Sequence, residues 1–168
     1  TVVYVAGFML PSGVPYAEVL TQFLAEMPAQ AAGLPGIGPH LVFTPERDAT
    51  SAPVESAMKV FFHDCPPAQA RATAERLRAY PESVRAAAPV LTPERFGRVR
   101  RVYIECTDDR SILLAMQRRL QDMSPGARRI SLDCGHAPQL AAPDDLTAAL
   151  MAALDDAETA ALAASGAQ

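Results

Sequence analysis

The 168 residues carry 15 basic and 19 acidic side chains, a formal net charge of −4, with 49% hydrophobic and 20% charged residues. That composition describes a folded globular chain long enough for one domain with a sizeable core, and excludes a disordered one. The charges are mixed with no basic block, which argues against nucleic acid as a partner, and the apolar runs fall far short of a membrane span.

Residues 1–6, TVVYVA, read as a buried strand. It is apolar on both faces, which suits an interior place in a sheet rather than an edge. Pro11 and Gly13 punctuate the turn that follows. No charged-then-apolar signal opens the chain. The three cysteines, Cys65, Cys106 and Cys134, are an odd number without CxxC spacing. They are expected to be reduced and structural, in a cytoplasmic setting.

Tyr16 to Gln30 has the periodicity of an amphipathic helix, with Val19, Leu20, Phe23, Leu24 and Met27 as its packing stripe. Residues 31–53 are Gly- and Pro-rich and are expected to be irregular around a short LVFT. Gly36-Ile37-Gly38 lacks the third glycine, the preceding strand and the following helix of a nucleotide loop, and His40 reads as an ordinary loop histidine. Two helical pieces are expected next, Ala57 to His63 and Pro67 to Tyr80, the second opened by proline in its first turn. Between them, His63-Asp64-Cys65 are three possible metal ligands, but adjacent residues do not readily converge on one ion, so no metal site is expected. Residues 81–97 form a proline-punctuated connection.

The most informative stretch runs from Arg101 to Leu140. Val102, Tyr103, Ile104 and Cys106 belong to a strand buried on both faces, which ends in Thr107-Asp108-Asp109. A helix over Ser111 to Met123 turns Ile112, Leu113, Met116, Leu120 and Met123 inward and is closed by Ser124-Pro125-Gly126. A second strand, Ile130 to Cys134, ends in Gly135-His136. Pro143-Asp144-Asp145 opens the last helix with acids at its positive end. In an open parallel sheet, ligands bind beyond the carboxyl ends of the strands. An acid after one strand and a histidine after the next are the second and third positions of a Ser…Asp…His chain order.

Four pieces, VVYVAGFMLPSG, FFHDCPPAQARATAERLRAYP, RVYIECTDDRSI with QRRLQDM, and LDCGHAPQLAAPDDLTAAL, together resemble the C-terminal portion of an α/β-hydrolase. The resemblance is to the small-esterase branch that includes plant methylesterases, hydroxynitrile lyases and bacterial relatives. It runs over nearly the whole chain and is weakest between Ala31 and Pro53. It implies an α/β fold comprising the last three parallel strands of an eight-stranded sheet, with a helical cap inserted after the first of them. Residues 1–13 would be a core strand and turn, 14–97 the cap region, and 98–168 the C-terminal core. Asp109 falls at the family's triad acid, with Asp108 as the alternative, and His136 falls at its histidine. Leu10, Phe61, Phe62 and Ile112 would line an apolar substrate pocket or serve as plain core. No cofactor or metal is required.

Two departures qualify the resemblance. The nucleophile elbow G-x-S-x-G is absent from these residues, and the oxyanion donors that accompany it are absent too. Ala137-Pro138 stands where close relatives often carry a serine after the histidine. The expectation is therefore a complementary N-terminal segment or chain that supplies the serine and pairs against Val2 to Ala6, since a three-stranded half-sheet leaves an edge unpaired. The implied activity is cleavage of a small ester or lactone, with cyanohydrin cleavage a related chemistry on this scaffold. The alternative is a non-catalytic binding or assembly subunit derived from such a hydrolase.

Overall fold

The structure is a computed structural model that describes residues 1–26 and 36–165. The main sheet has three parallel strands in the order β1 (Val2–Val5), β5 (Arg101–Cys106), β6 (Ala127–Leu132). Val2 pairs with Arg101 on one side of β5, and Arg101 pairs with Ala127 on the other. Side chains alternate across the central strand as the strand period requires. Val102, Ile104 and Cys106 enter a cluster with Ala6, Leu132, Cys134, Ala149 and Ala153. Tyr103 and Glu105 occupy the intervening positions and are fully buried as well.

The first cluster is covered by α6 (Pro143–Ser165). Among its described side chains Ala149 and Ala153 are buried, with Leu146 and Leu150 packed beside them, while Met151 and Leu154 stay exposed. Small side chains at the contact let the helix lie close to the sheet. A second cluster joins α1 (Tyr16–Glu26) to α5 (Leu114–Met123) through Val19, Phe23, Ile112, Met116 and Leu120. The Tyr103 hydroxyl donates to the Gly7 carbonyl at 2.7 Å, which satisfies a polar tip that burial would otherwise penalise.

Glu105 is a carboxylate in the middle of the most buried strand, and its partners explain why it is tolerated. Arg118, Gln121 and Ser131 donate to it at 3.0, 3.2 and 2.9 Å, and Arg129 Nε lies 3.4 Å away. Burial opposes its ionisation, but the bonds from Arg118, Ser131 and Gln121 outweigh that and hold its carboxyl below the ordinary value.

Between β1 and β5 the chain forms a small antiparallel sheet of β2 (Val42–Phe43), β3 (Ala49–Ser51) and β4 (Tyr80–Pro81). Three short helices accompany it: α2 (Val54–Val60), α3 (Pro67–Ala74) and α4 (Glu82–Arg85). Thr50, buried in β3, donates to Glu82 and accepts from Arg85, tying α4 to this sheet. Ala57, Phe62, Cys65, Ala70 and Ala74 form a third cluster that also takes in Ala137 from the far end of the chain.

Several sequence expectations change on tertiary grounds. Among the described residues β1 pairs only with β5, and Val2 is exposed, so an interior place for residues 1–6 depends on a strand beyond this sheet. The region expected to be irregular contains β2 and β3, because 42–43 and 49–51 can pair only as a hairpin closed by Thr44. Of the first long helix, Tyr16–Glu26 is observed and the remainder lies outside the described residues. The helix expected from Pro67 to Tyr80 stops at Ala74, because Tyr80 is drawn into pairing with Thr50. The helix expected from Ser111 begins at Leu114 instead, since Leu113 is extended, with φ −51° and ψ 151°, and the Ile112 carbonyl is taken by the Gln117 side chain. The strand expected from Ile130 begins at Ala127, where β5 offers it a partner, and ends at Leu132.

Candidate active site

Neighbouring parallel strands deliver their C-terminal loops to the same end of the sheet, and here the ladder continues into them. The Thr107 amide donates to the Leu132 carbonyl at 2.9 Å and the Asp108 amide to Cys134 at 3.1 Å. The Thr107 hydroxyl donates to Asp133 at 2.9 Å. These bonds bring the acid loop after β5 beside the histidine loop after β6.

Asp109 is buried at the base of the acid loop. Its Oδ1 accepts the amides of Ser111 at 2.7 Å and Ile112 at 2.9 Å, an Asx-type turn built from its own downstream chain. Its Oδ2 lies 2.8 Å from His136 Nδ1 and 3.3 Å from Gln117 Nε2. A carboxylate is an acceptor only, so Nδ1 carries the hydrogen of the histidine bond. Asp108, the alternative acid, has a largely exposed side chain, 64%, whose Oδ2 lies 3.9 Å from His63 Nε2, while its backbone carbonyl is 3.0 Å from the same nitrogen.

The histidine ring is part-exposed, 26% by side chain, so it remains reachable. Phe61 stacks on it with ring centroids 5.2 Å apart and planes 30° from parallel. An imidazole anchored through Nδ1 on a buried carboxylate presents Nε2 as a proton acceptor, and that is the chemistry this arrangement supports.

Gln117 is fully buried on α5 and joins the strand, the loop and the carboxylate. Its Oε1 accepts the Cys106 amide at 3.1 Å, and its Nε2 lies 2.7 Å from the Ile112 carbonyl and 3.0 Å from that of Cys106. Both ends of the amide are therefore used inside the protein, as a buried polar group requires.

The three cysteines are free thiols. The Cys106 and Cys134 sulfurs are 3.8 Å apart beneath the two loops. Burial pushes both thiols up, and burial with the neighbouring Asp64 raises Cys65 to about 11. All three are protonated at neutral pH, so none supplies a thiolate nucleophile. Among the described residues, no three His, Cys, Asp or Glu are placed to hold a metal ion, and no helix is long and apolar enough to cross a membrane.

The six residues singled out in the sequence fall into different places. Asp109, His136 and Phe61 meet directly. Ile112 is buried in the second cluster and reaches the site through its amide, and Leu10 packs against that same cluster. Phe62 is buried in the third cluster, with its ring edge-on to Phe61. Sequence reasoning missed Gln117, although a glutamine between Met116 and Leu120 on the apolar stripe of a helix was a visible signal. It also discarded His63 and Asp64 once they failed as metal ligands.

A profile described as the alpha/beta hydrolase family matches residues 1–150. No curated protein sequence matches the chain significantly. Among solved structures, a methylesterase from Arabidopsis superposes with a TM-score of 0.71 at 18% identity, covering 91% of this chain and 58% of that one. A pyrethroid hydrolase from Sphingobium faniae gives 0.71 at 21% identity, covering 91% and 60%. The methylketone synthase I of tomato, solved with 2-tridecanone, gives 0.71 at 16% identity, covering 92% and 60%. The chain thus spans about 60% of the length of these structures, and at such identities the likeness is one of fold.

Proposed function

The chain belongs to the alpha/beta hydrolase family, and we propose that it carries the acid and the histidine of a serine esterase-like hydrolase acting on a small ester or lactone. His136 is the general base and later the general acid. Asp109 holds its tautomer and stabilises the charge that develops on the ring. The nucleophilic serine and its oxyanion donors come from a segment outside these residues, adding strands against the open edge of β1. Residues 14–97 act as the cap over the site, and Phe61 supplies an apolar wall beside the histidine.

The observation that carries this reading is the 2.8 Å contact between His136 Nδ1 and the buried Oδ2 of Asp109, at the carboxyl ends of adjacent strands. Two groups 27 residues apart are aligned as an acid–base pair, with the acid fully hydrogen-bonded and the base reachable.

Labelling by a serine-reactive phosphonate tests it. In the protein isolated together with whatever segment completes the sheet, covalent labelling should occur and should fall by roughly a thousandfold or more in rate in His136→Ala. No labelling in the completed protein would overturn the hydrolase reading and leave a binding or assembly subunit.

A further inference from the structure

The turn between α2 and α3 reaches both loops of the site. His63, whose side chain is only 6% exposed, has Nε2 3.0 Å from the backbone carbonyl of Asp108. A carbonyl is an acceptor, so Nε2 carries the hydrogen. The next residue, Asp64, accepts the Gly135 amide on Oδ2. Two consecutive side chains thus hold the residues that immediately precede Asp109 and His136.

The turn itself is well anchored. Phe62 and Cys65 are buried on either side of the pair, in the cluster that includes Ala137 of the histidine loop, and the Cys65 amide closes the turn on the Phe62 carbonyl at 3.1 Å. Gly135 shows how close the approach is. A Cβ there would lie 2.6 Å from Asp64 Oδ1 and 2.7 Å from His63 Nε2, so any side chain would drive the pair off the loop. The ladder bonds at Thr107 and Asp108 join the two loops directly. The turn joins them a second time, from outside.

We infer that His63 and Asp64 are positioning residues: together they clamp the acid loop to the histidine loop and set the Asp109–His136 contact. The clamp rests on the reading of Asp109 and His136 as an acid–base pair. His63 acts as a neutral or charged donor through Nε2 alone, and Asp64 acts as a charge-assisted acceptor, the stronger of the two bonds.

The experiment is proton NMR on the protein isolated together with the segment that completes the sheet, following the low-field ring N–H of His136 (assigned by its absence in His136→Gln) and hydrogen exchange at the Gly135 amide. Asp64→Ala should broaden the ring resonance beyond detection and speed Gly135 exchange roughly tenfold or more, the loss expected for one charge-assisted bond. Gly135→Ala should do the same to the ring resonance by displacing the pair. Asp64→Asn, which keeps an acceptor oxygen, should restore much of the wild-type signal. Val102→Ala, a core truncation near the start of β5 and away from the clamp, controls for lost stability and should leave the resonance in place. An unchanged resonance in both Asp64→Ala and Gly135→Ala, or its equal loss in Val102→Ala, would overturn the clamp alone. Absence of the resonance from the completed wild-type protein would overturn the acid–base pair itself, and the clamp with it.

Discussion

The acid loop and the histidine loop sit side by side, yet they are held by different means. The acid loop is tied mostly from within: Asp109 binds the amides two and three residues downstream and Gln117 from the following helix closes over it, with His63 its contact from the distant turn between α2 and α3. The histidine loop borrows its support from a distant part of the chain. Asp64 takes the Gly135 amide, Phe61 covers the ring, and Ala137 packs into a cluster made by residues 57–74. A buried carboxylate needs several close donors to remain charged, and a tight local turn provides them at little entropic cost. A histidine that must exchange protons stays part-exposed, so its loop cannot be sealed in the same way.

The largest effect should come from disturbing the bond that joins the two. In Asp109→Asn the side-chain oxygen can keep the two loop amides, which leaves the amide nitrogen facing Nδ1. Two donors cannot share that contact, so the imidazole changes tautomer and Nε2 ceases to be a base. Hydrolysis by the completed enzyme should fall by about ten-thousandfold, while the melting temperature changes little; steady-state kinetics beside thermal melting checks both.

Gln117→Leu attacks the acid loop from within. It leaves the Cys106 amide and the Ile112 carbonyl buried without that partner, and should cost about 2–4 kcal/mol in urea unfolding. A cost under about 1 kcal/mol would mean that the loop holds itself without the helix.

Glu105 sharpens the contrast from the strand that underlies the acid loop. Its folded carboxyl is held below the ordinary 4.5, so it stabilises the fold above that value and the contribution is lost as pH falls through the folded-state value. Urea midpoints taken from neutral pH downward should decline below about pH 4.5 in the wild type, and more shallowly in Glu105→Gln. Parallel decline in the two would assign the acid sensitivity to other carboxyls.

The smallest effect is expected at the histidine ring. Phe61→Ala removes a stacking partner from a half-buried position and should cost about 1 kcal/mol of stability. Its main consequence should be a several-fold rise in KM for an apolar ester, measured on the completed enzyme, if the ring stacked on His136 is the proposed wall of the site.

The chemistry of the site was legible because it rests on short patterns. The strand over 102–106 followed by two acids, and the strand over 130–134 followed by Gly135-His136, mark loops at strand ends whatever surrounds them. The resemblance to a hydrolase family rests on the same pieces and is matched by the family profile. Element limits were less legible. Tyr80 has a residue type suited to either a helix or a strand, and pairing with Thr50 decided it. Ser111 and Ile112 continue a helical pattern, but the Gln117 side chain took the Ile112 carbonyl and Leu113 is extended.

By itself, then, the sequence determined which side chains could act as acid and base, that they follow two buried strands, and in what order. Those properties depend on residue type and on periodicities of a few residues. Only the tertiary structure decided that Asp109 rather than Asp108 faces the ring, that Gln117 is the amide which completes its shell, and that His63 and Asp64 reach across to the two loops. Each of these is a contact between segments separated by 8 to 71 residues. Such contacts follow from the register of a parallel sheet and from the docking of a distant turn, and no local pattern encodes either.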